Sequence, residues 1–307
     1  MKIEPLLREH RERQATSNPE RINFQGIADK DIYNITAPFM LEEKEYIFAR
    51  VESRESEFSQ SCAFERVGDE YRLVKGLPQL DMQDPFVTFI EGDLVLGGVV
   101  VNESELDASV LEWRTVFYRG STLTQLTQFF EGPKGMKDIR LKELNDQRIL
   151  VLTRPQGVKG GRGKIGAALI NHLSELSLEV IENAPLLENQ FSEEEWGGAN
   201  EIHVLDDDRV GVLGHIASFD DRGDRHYYAL TFQLELQGFK IDQPLIIAER
   251  KDFLPGPSKR PDLSDVVFSG GLVLGDGTAT LYSGISDADA QKITIQHPFN
   301  RRQLDEH

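Results

Sequence analysis

Two sets of residues in this chain have the types and spacing to converge on one small molecule. In five stretches an apolar run, a polar turn and a second apolar run follow one another: APFML-EEK-EYIFARVES, DPFVTFI-EGD-LVLGGVVV, DIRLKEL-NDQ-RILVLTRP, EIHVL-DDD-RVGVLGHIASF and GGLVL-GDG-TATLYSGISD. The residues leading into the first runs include Asp31, Asn34, Asp84, Asp138, Asn200, Glu201 and Asp265. Eight or nine residues after each turn begins, the second runs reach Arg50, Val99, Arg154, His215 and Ser283, with Asp287 just beyond. In an antiparallel pair the start of one strand lies beside the end of the next, so the two sets share an edge. Carboxylates interleaved with cations around one mouth suit a site that protonates a leaving oxygen and holds several hydroxyl groups.

The elements that must position these residues follow from the repeat. The turns begin at Glu42, Glu91, Asn145, Asp206 and Gly275, at spacings of 49, 54, 61 and 69 residues. Between them lie further strand-like runs, SCAFERV, WRTVFYRG, AALINHL and YYALTFQLEL. Each unit is long enough for a four-stranded antiparallel sheet, which predicts an all-β chain folded as a five-bladed β-propeller. A β-sandwich or a pair of β-domains is the rival, because hairpins with polar turns are generic. The expected organisation is an N-terminal arm over residues 1–25, helical at PLLREHRERQ, one propeller domain over 26–300, and a tail at 301–307.

Composition removes several classes of function. A net charge of -18 over 307 residues opposes nucleic acid, whose phosphates need a basic face. No run approaches the ~18 apolar residues of a membrane span, and MKIEPLLREHRERQ is charged where a secretory signal is apolar. The expectation is a soluble cytoplasmic protein with no membrane partner, and its oligomeric state stays open. The lone Cys62 permits no internal disulfide, and His203 and His215 lack a nearby third ligand, so no metal site is expected. The stretch GVKGGRGK, residues 157–164, lacks the GxxxxGK[ST] order of a nucleotide-binding loop and reads as a mobile loop over the mouth.

The pieces YNITAPF with FAR, DMQDPF, GMKDIRL with VLTRP, WGGANEIH and LYSGISD, in this order, resemble the motifs of five-bladed propeller glycosidases. The resemblance spans residues 27–297 and is closest to glycoside hydrolase family 130, the mannoside phosphorylases and β-mannosidases, with their bacterial relatives. That family's Glu-Asp-Pro-Arg motif supplies the proton donor; here it reads Gln83-Asp84-Pro85-Phe86, which gives Asp84 the acid role without the motif's Glu and Arg. The family's Lys-Asp pair matches Lys137-Asp138, its His-Arg-Pro becomes Thr153-Arg154-Pro155, and its Tyr-Gly-Ala-Ala-Asp resembles the stretch from Tyr282 to Asp287. On this reading Asn34 and Asp287 bind sugar hydroxyls and Arg50, Lys137 and Arg154 hold phosphate or sugar oxygens, with His215, from the ends of the second runs, a further substrate-binding candidate.

Each residue also has a plainer reading. Asp84 could cap a turn before proline, Asp138 could pair with Lys137 or Arg140, and the arginines could snorkel to solvent. Taken together, the residues and the resemblance predict cleavage of a small saccharide's glycosidic bond with inversion, by hydrolysis. Glu201, ahead of Asp138, would then activate the water. Phosphorolysis with inorganic phosphate as co-substrate, saccharide binding without turnover, and a protein-binding scaffold are the alternatives; no other cofactor is expected.

Overall fold

Each of the five expected turns joins an antiparallel strand pair in the computed structural model, which describes residues 1–13, 16–104, 107 and 110–300. The expected tail at 301–307 lies outside the described residues. Helix α1 (Ile3–Arg13) and strands β1 (Thr16–Arg21) and β2 (Phe24–Gln25) open the chain. Strands β3 (Asp31–Tyr33), β4 (Phe39–Leu41), β5 (Lys44–Glu52), β6 (Gln60–Val67) and β7 (Glu70–Leu73) form one sheet with β2, ordered β2-β7-β6-β5-β3, with β4 also on β5. Next come β8 (Gln83–Ile90), β9 (Asp93–Glu103), β10 (Leu111–Gly120) and β11 (Thr127–Glu131), paired in sequence. Strands β12 (Arg140–Glu143), β13 (Ile149–Thr153) and β14 (Gly166–Ile170) make a third sheet, with short helices α2 (Gly157–Gly160) and α3 (Leu178–Asn183) around it.

The largest sheet has two halves. One is β15 (Trp196–Val204), β16 (Arg209–Phe219), β17 (Arg225–Glu235) and β18 (Lys240–Ala248); the other is β19 (Asp265–Leu274), β20 (Thr278–Ile285), β21 (Asp289–Gln296) and the early strand β1. Only two parallel pairs join the halves, His226 with Asp265 and Tyr227 with Val266. Cut at that joint, the pairings make five sheet groups in chain order, and β1 on β21 ties the beginning of the chain to its end. The fold is all-β apart from short helices.

Local chemistry explains the strand boundaries. The β8–β9 connection is the two residues Glu91 and Gly92 at φ 52° and 80°, the doubly positive turn that matches strand twist. Glu42 and Glu43, at 49° and 63°, make the same turn between β4 and β5. Residues 34–38 break the first strand in two, since Pro38 has no N–H to donate.

Five apolar clusters hold these groups together, one at each junction. Phe48 and Tyr46 meet Leu94 and Leu96; Phe86 and Phe117 meet Ile139 and Val151; Leu150 and Leu152 meet Val210 and Ile202. Leu213 and Leu245 meet Val267 and Leu281, and Ala290 meets Ile47 and Phe64, so the last group packs on the first. The expected helix in the N-terminal arm is α1. Its Ile3, Leu6, Leu7 and His10, one face of a helix by spacing, join the third of these clusters or its edge. There His10 Nε2 lies 2.7 Å from Asp252 Oδ2, and Arg11 donates to both oxygens of Glu249. No helix among the described residues is long and apolar enough to cross a membrane.

The last and first groups approach closely at their junction. A Cβ on Gly270 would stand 1.7 Å from the carbonyl oxygen of Ile35, a backbone atom that cannot swing aside. Gly270→Ala is therefore expected to lower the unfolding free energy by about 1–3 kcal/mol or more, the usual cost of overpacking. Denaturant unfolding at constant m-value checks this, and an unchanged midpoint would show that the junction yields freely.

Candidate functional site

Eight of the nine sequence-predicted site residues line one cavity of about 210 Å³: Asn34, Arg50, Asp84, Lys137, Asp138, Arg154, His215 and Asp287. They come from all five sheet groups, which explains how residues far apart in the chain meet. Four of them, Asn34, Asp84, Asp138 and Asp287, have left-handed backbones at φ 44°, 49°, 60° and 51°. Asn and Asp are the non-glycine residues that tolerate this best. Asp84 is the extreme case, because Pro85 disfavours helical backbone at the preceding residue and the ladder breaks register between Gln83 and Phe86. Such strain costs on the order of 1–3 kcal/mol per residue and gathers at functional sites. Its effect here is to turn the carboxylates out of the pleat and into the cavity.

One wall is built around Asp84. Its Oδ1 accepts from Asn34 Nδ2 at 2.7 Å and from Arg50 Nη1 at 3.2 Å. Arg50 is buried and spends its other nitrogens on Glu52 Oε2, at 3.1 and 2.8 Å. Glu52 is also buried and accepts from Tyr33 Oη and from Lys259 Nζ. Asp84 is thus fixed by a charged network running away from the cavity, and a bare turn-capping role does not describe it.

The opposite wall is built around Asp138. Its oxygens lie 3.5 Å from Arg140 Nη2 and 3.3 Å from Arg154 Nη1. Burial alone would raise its pKa, but the charges of Arg154, Lys137 and Arg140 overcome burial and hold it at about 2. Arg154 donates from Nε to the Gly197 carbonyl at 2.6 Å, while neither terminal nitrogen makes a hydrogen bond to a described residue. Glycines shape this arginine's slot: a Cβ on Gly163 would stand 2.6 Å from Nη2, and one on Gly198 would stand 2.6 Å from Cδ. Lys137 also lacks a hydrogen-bond partner among the described residues.

His215 closes the floor. Its Nδ1 is 2.9 Å from Asn200 Oδ1, and its ring stacks on Tyr227 with centroids 5.5 Å apart. Burial, and then the charges of Arg154, Lys137 and Arg140, push its pKa down to about 3, so the imidazole is neutral near pH 7. With Nδ1–H donating to Asn200, Nε2 is left as an acceptor.

Glu201 is the exception, and the expectation that it faces the mouth is corrected. The β15–β16 ladder shifts register between Ala199 and Glu201, so Asn200 occupies the inward position and Glu201 turns towards the neighbouring group. There its Oε2 accepts from the Leu272 backbone N–H at 2.6 Å and lies 2.9 Å from His203 Nε2. Two other candidates are rim ion pairs: Asp31 accepts twice from Arg54, and Asp265 pairs with His226. Residues 157–164 contain a helical turn and are tied down, with Lys159 donating to the carbonyls of Glu182 and Ala184 and Arg162 over the rings of Phe219 and Trp196. Among the described residues no group of three or more His, Cys, Asp or Glu could hold a metal ion.

Sequence reasoning missed Glu57, Arg225, Tyr227 and Arg260, which also line the cavity. Arg225 and Tyr227 lie on β17, a third strand that the two-strand rule ignores, and Arg260 lies in the connection before β19. The basic stretch SKRP at 258–261 was the available signal. Arg260 donates to Glu57 at 2.8 Å and Arg225 pairs with Asp262, so both rim cations are partly engaged. Glu57 and Gln83 also border an adjoining cleft of about 690 Å³.

Comparison with known proteins places this geometry. A family model described as "Protein of unknown function (DUF1861)" matches residues 8–301, and no curated protein sequence matches. The chain is 34% identical to MPT-4, a mannose phosphorylase from Leishmania mexicana solved in complex with phosphate ion, over 97% of this chain and 93% of that one, with a TM-score of 0.89. It is 29% identical to MPT-1, a GDP-Man-dependent mannosyltransferase from the same organism, over 98% and 97%, also at 0.89. The beta-1,2-mannobiose phosphorylase from Listeria innocua, 15% identical over 94% of each chain at a TM-score of 0.63, shares the fold. The structural likeness thus reaches the family 130 glycosidases that the sequence motifs resemble.

The buried imidazole gives a direct check. The native pKa of His215 lies below its ordinary 6.5, so its contribution to stability is complete above that value and is lost as pH falls towards 3. The His215 ring resonances are expected not to titrate between about pH 8 and pH 5. His215→Gln should flatten the fall in melting temperature over the same interval. Titration of the ring near 6.5 would place it in solvent or beside an uncompensated carboxylate.

Proposed function

This chain belongs to the DUF1861 family, and from that premise we propose that it is a carbohydrate-active enzyme, an inverting phosphorylase of mannosides. The observation that carries the reading is the pair of cations lining the cavity, Arg154 and Lys137: Lys137 makes no hydrogen bond to a described residue, and Arg154, whose Nη1 stands 3.3 Å from Asp138, makes none from its terminal nitrogens. Charge-assisted bonds from such groups suit a phosphate dianion. The cavity wall supplies five cations, Arg50, Lys137, Arg154, Arg225 and Arg260, against four carboxylates, Glu57, Asp84, Asp138 and Asp287. That local balance offsets the repulsion expected of a chain carrying -18 overall. The solved mannose phosphorylase with its phosphate ion supports the same class of reaction.

In this reading phosphate sits against Arg154 and Lys137 and attacks the anomeric carbon, while a protonated cavity carboxyl group gives its proton to the departing oxygen on the other side. Asn34 and the Nε2 acceptor of His215 bind sugar hydroxyls, and Arg50 holds Asp84 in place. The proposed chemistry needs no metal or organic cofactor, and inorganic phosphate is the co-substrate. Phosphorolysis is preferred to the hydrolysis expected from sequence. Glu201, chosen there to activate water, turns away from the cavity, and Asp138 is committed to two arginines. The five sheet groups, their five junction clusters and the β1–β21 closure support one five-bladed β-propeller; β1 and β2, from the expected arm at residues 1–25, belong to its last and first groups, which leaves helix α1 as the docked arm.

The experiment is cleavage of a panel of β-mannosides with and without inorganic phosphate. A sugar 1-phosphate formed only with phosphate is the expected product, and Arg154→Met should raise the phosphate KM at least about tenfold by removing one charge-assisted contact. Free mannose at equal rates in both conditions would assign hydrolysis. No cleavage of any saccharide would favour a binding protein.

A further inference from the structure

One cation near the mouth has no carboxylate partner among the described residues. Arg162 is exposed, and its side chain makes no hydrogen bond or ion pair with any of them. Its guanidinium lies instead against two rings, 4.8 Å from the centroid of Phe219 and 5.5 Å from that of Trp196. Stacking uses the face of the group and leaves the N–H donors in its plane for another acceptor. Arg225 shares the Phe219 ring at 5.5 Å and is offset by Asp262. Two like charges on one ring, with a carboxylate for one of them, leave excess positive charge at this edge of a chain that carries -18 overall.

That edge leads into the cavity. Trp196 donates from Nε1 to Tyr227 Oη at 3.0 Å, and Tyr227, whose ring stacks on His215, lines the cavity as Arg225 does. Just after Arg162 the chain passes over Arg154: a Cβ on Gly163 would stand 2.6 Å from Arg154 Nη2. The chain is anchored there, since the Gly163 carbonyl accepts from the Gly197 N–H at 3.2 Å and the Arg162 carbonyl accepts from Gln156 Nε2 at 2.8 Å. An exposed guanidinium without a carboxylate thus stands one residue from the backbone that covers Arg154, the buried arginine against which phosphate is placed.

We propose that Arg162 is the outer contact for phosphate, drawing the dianion to the mouth of an acidic protein and releasing it to Arg154 and Lys137. Arg162 then governs how fast phosphate arrives and takes no part in bond making, unlike the two cations that hold the bound anion. The identity of the anion rests on the phosphorylase reading. A rim charge acts chiefly on association and on its salt dependence. The two rings hold the guanidinium in one place, so little side-chain freedom is lost when an anion meets it. Arg225 and Arg260, already paired with Asp262 and Glu57, have less of their charge to offer.

The test needs no saccharide. Phosphorus NMR line shapes of inorganic phosphate, titrated with the enzyme at low and at physiological ionic strength, give its association and dissociation rates. Arg162→Gln is expected to slow association roughly threefold or more at low salt, and Arg162→Glu further, with dissociation little changed. Added salt should narrow the difference. Arg162→Lys keeps the charge without the planar stack and should stay within about twofold of the wild type. The bond from Gln156 reaches the Arg162 carbonyl and not its side chain, so these variants keep the loop in place. Equal association in the wild type and Arg162→Gln overturns the proposal. So does a loss as large in Arg162→Lys as in Arg162→Gln, or a loss that salt leaves untouched, since either makes Arg162 a clamp on Trp196 and Phe219. Phosphate association that depends on Arg162, without phosphorolysis of any β-mannoside, would uphold the capture role and remove the phosphorylase reading. No phosphate binding to the wild type would remove both.

Discussion

The arrangement of this molecule around its cavity depends on keeping three buried guanidinium groups, those of Arg50, Arg140 and Arg154, satisfied. Each is at most 4% exposed. A charge so placed and left unpaired costs several kcal/mol. Arg50 is answered by Glu52 and Asp84. Arg140 is answered by Asp138 and by the carbonyls of Ile139 and Asn200, with its guanidinium 4.3 Å from the ring centroid of Phe86. Arg154 is answered by Asp138 and the Gly197 carbonyl. One contact of each crosses to the next sheet group, Arg50 to Asp84, Arg140 to Asn200 and Arg154 to Gly197, so the charges that make the site also set how the sheets meet there.

The same demand explains the glycines and the strained backbone beside the cavity. The Arg154 side chain lies between Gly163 and Gly198, where any Cβ would collide with it. Gly284 leaves room for Asn34 in a similar way, since a Cβ there would fall 1.9 Å from Asn34 Oδ1. Left-handed residues at Asn34, Asp84 and Asp138 place polar side chains inward at corresponding points of three consecutive groups. In the fourth group a register shift does the equivalent work and brings Asn200 to His215. The fifth has Gly270 there, pressed against Ile35, and its polar contribution comes from Asp287 after β20. The groups are thus alike in framework and different at one position each, which is how a repeated sheet produces an asymmetric site.

Charge is handled differently at the floor and the rim. Inside, Asp138 on the wall is committed to two arginines and His215 on the floor is kept neutral, which makes both fixed features across the physiological range. At the rim, Arg225, Arg260 and Glu57 are joined in exposed pairs with Asp262 and with each other, and water screens such pairs to ~0–1 kcal/mol. A ligand entering past them can exchange those partners at little cost. The asymmetry suits a rigid reacting centre beneath an adjustable mouth that borders a second cleft.

The sequence by itself determined the hairpins, because strand, turn and strand are local: two apolar runs and a Glu-Gly or Gly-Asp-Gly turn fix where the chain reverses. It also determined the edge on which Asp84, Asp138, Arg50, Arg154 and His215 lie, since alternation and antiparallel pairing carry that edge from one hairpin to the next. What only the tertiary structure decided depends on register and on neighbours distant in the chain. A single extra residue at Asn200 reversed the direction of Glu201, because side chains alternate and a one-residue slip exchanges faces. Arg225, Tyr227 and Arg260 reached the cavity from a third strand and a connection, with no local pattern to announce them. The unequal bonding of Asp84 and Asp287 was decided there too, because a side chain's donors are the neighbours the fold brings to it: those of Asp84 come from Asn34 and Arg50, 50 and 34 residues away, and Asp287 receives none from a described residue.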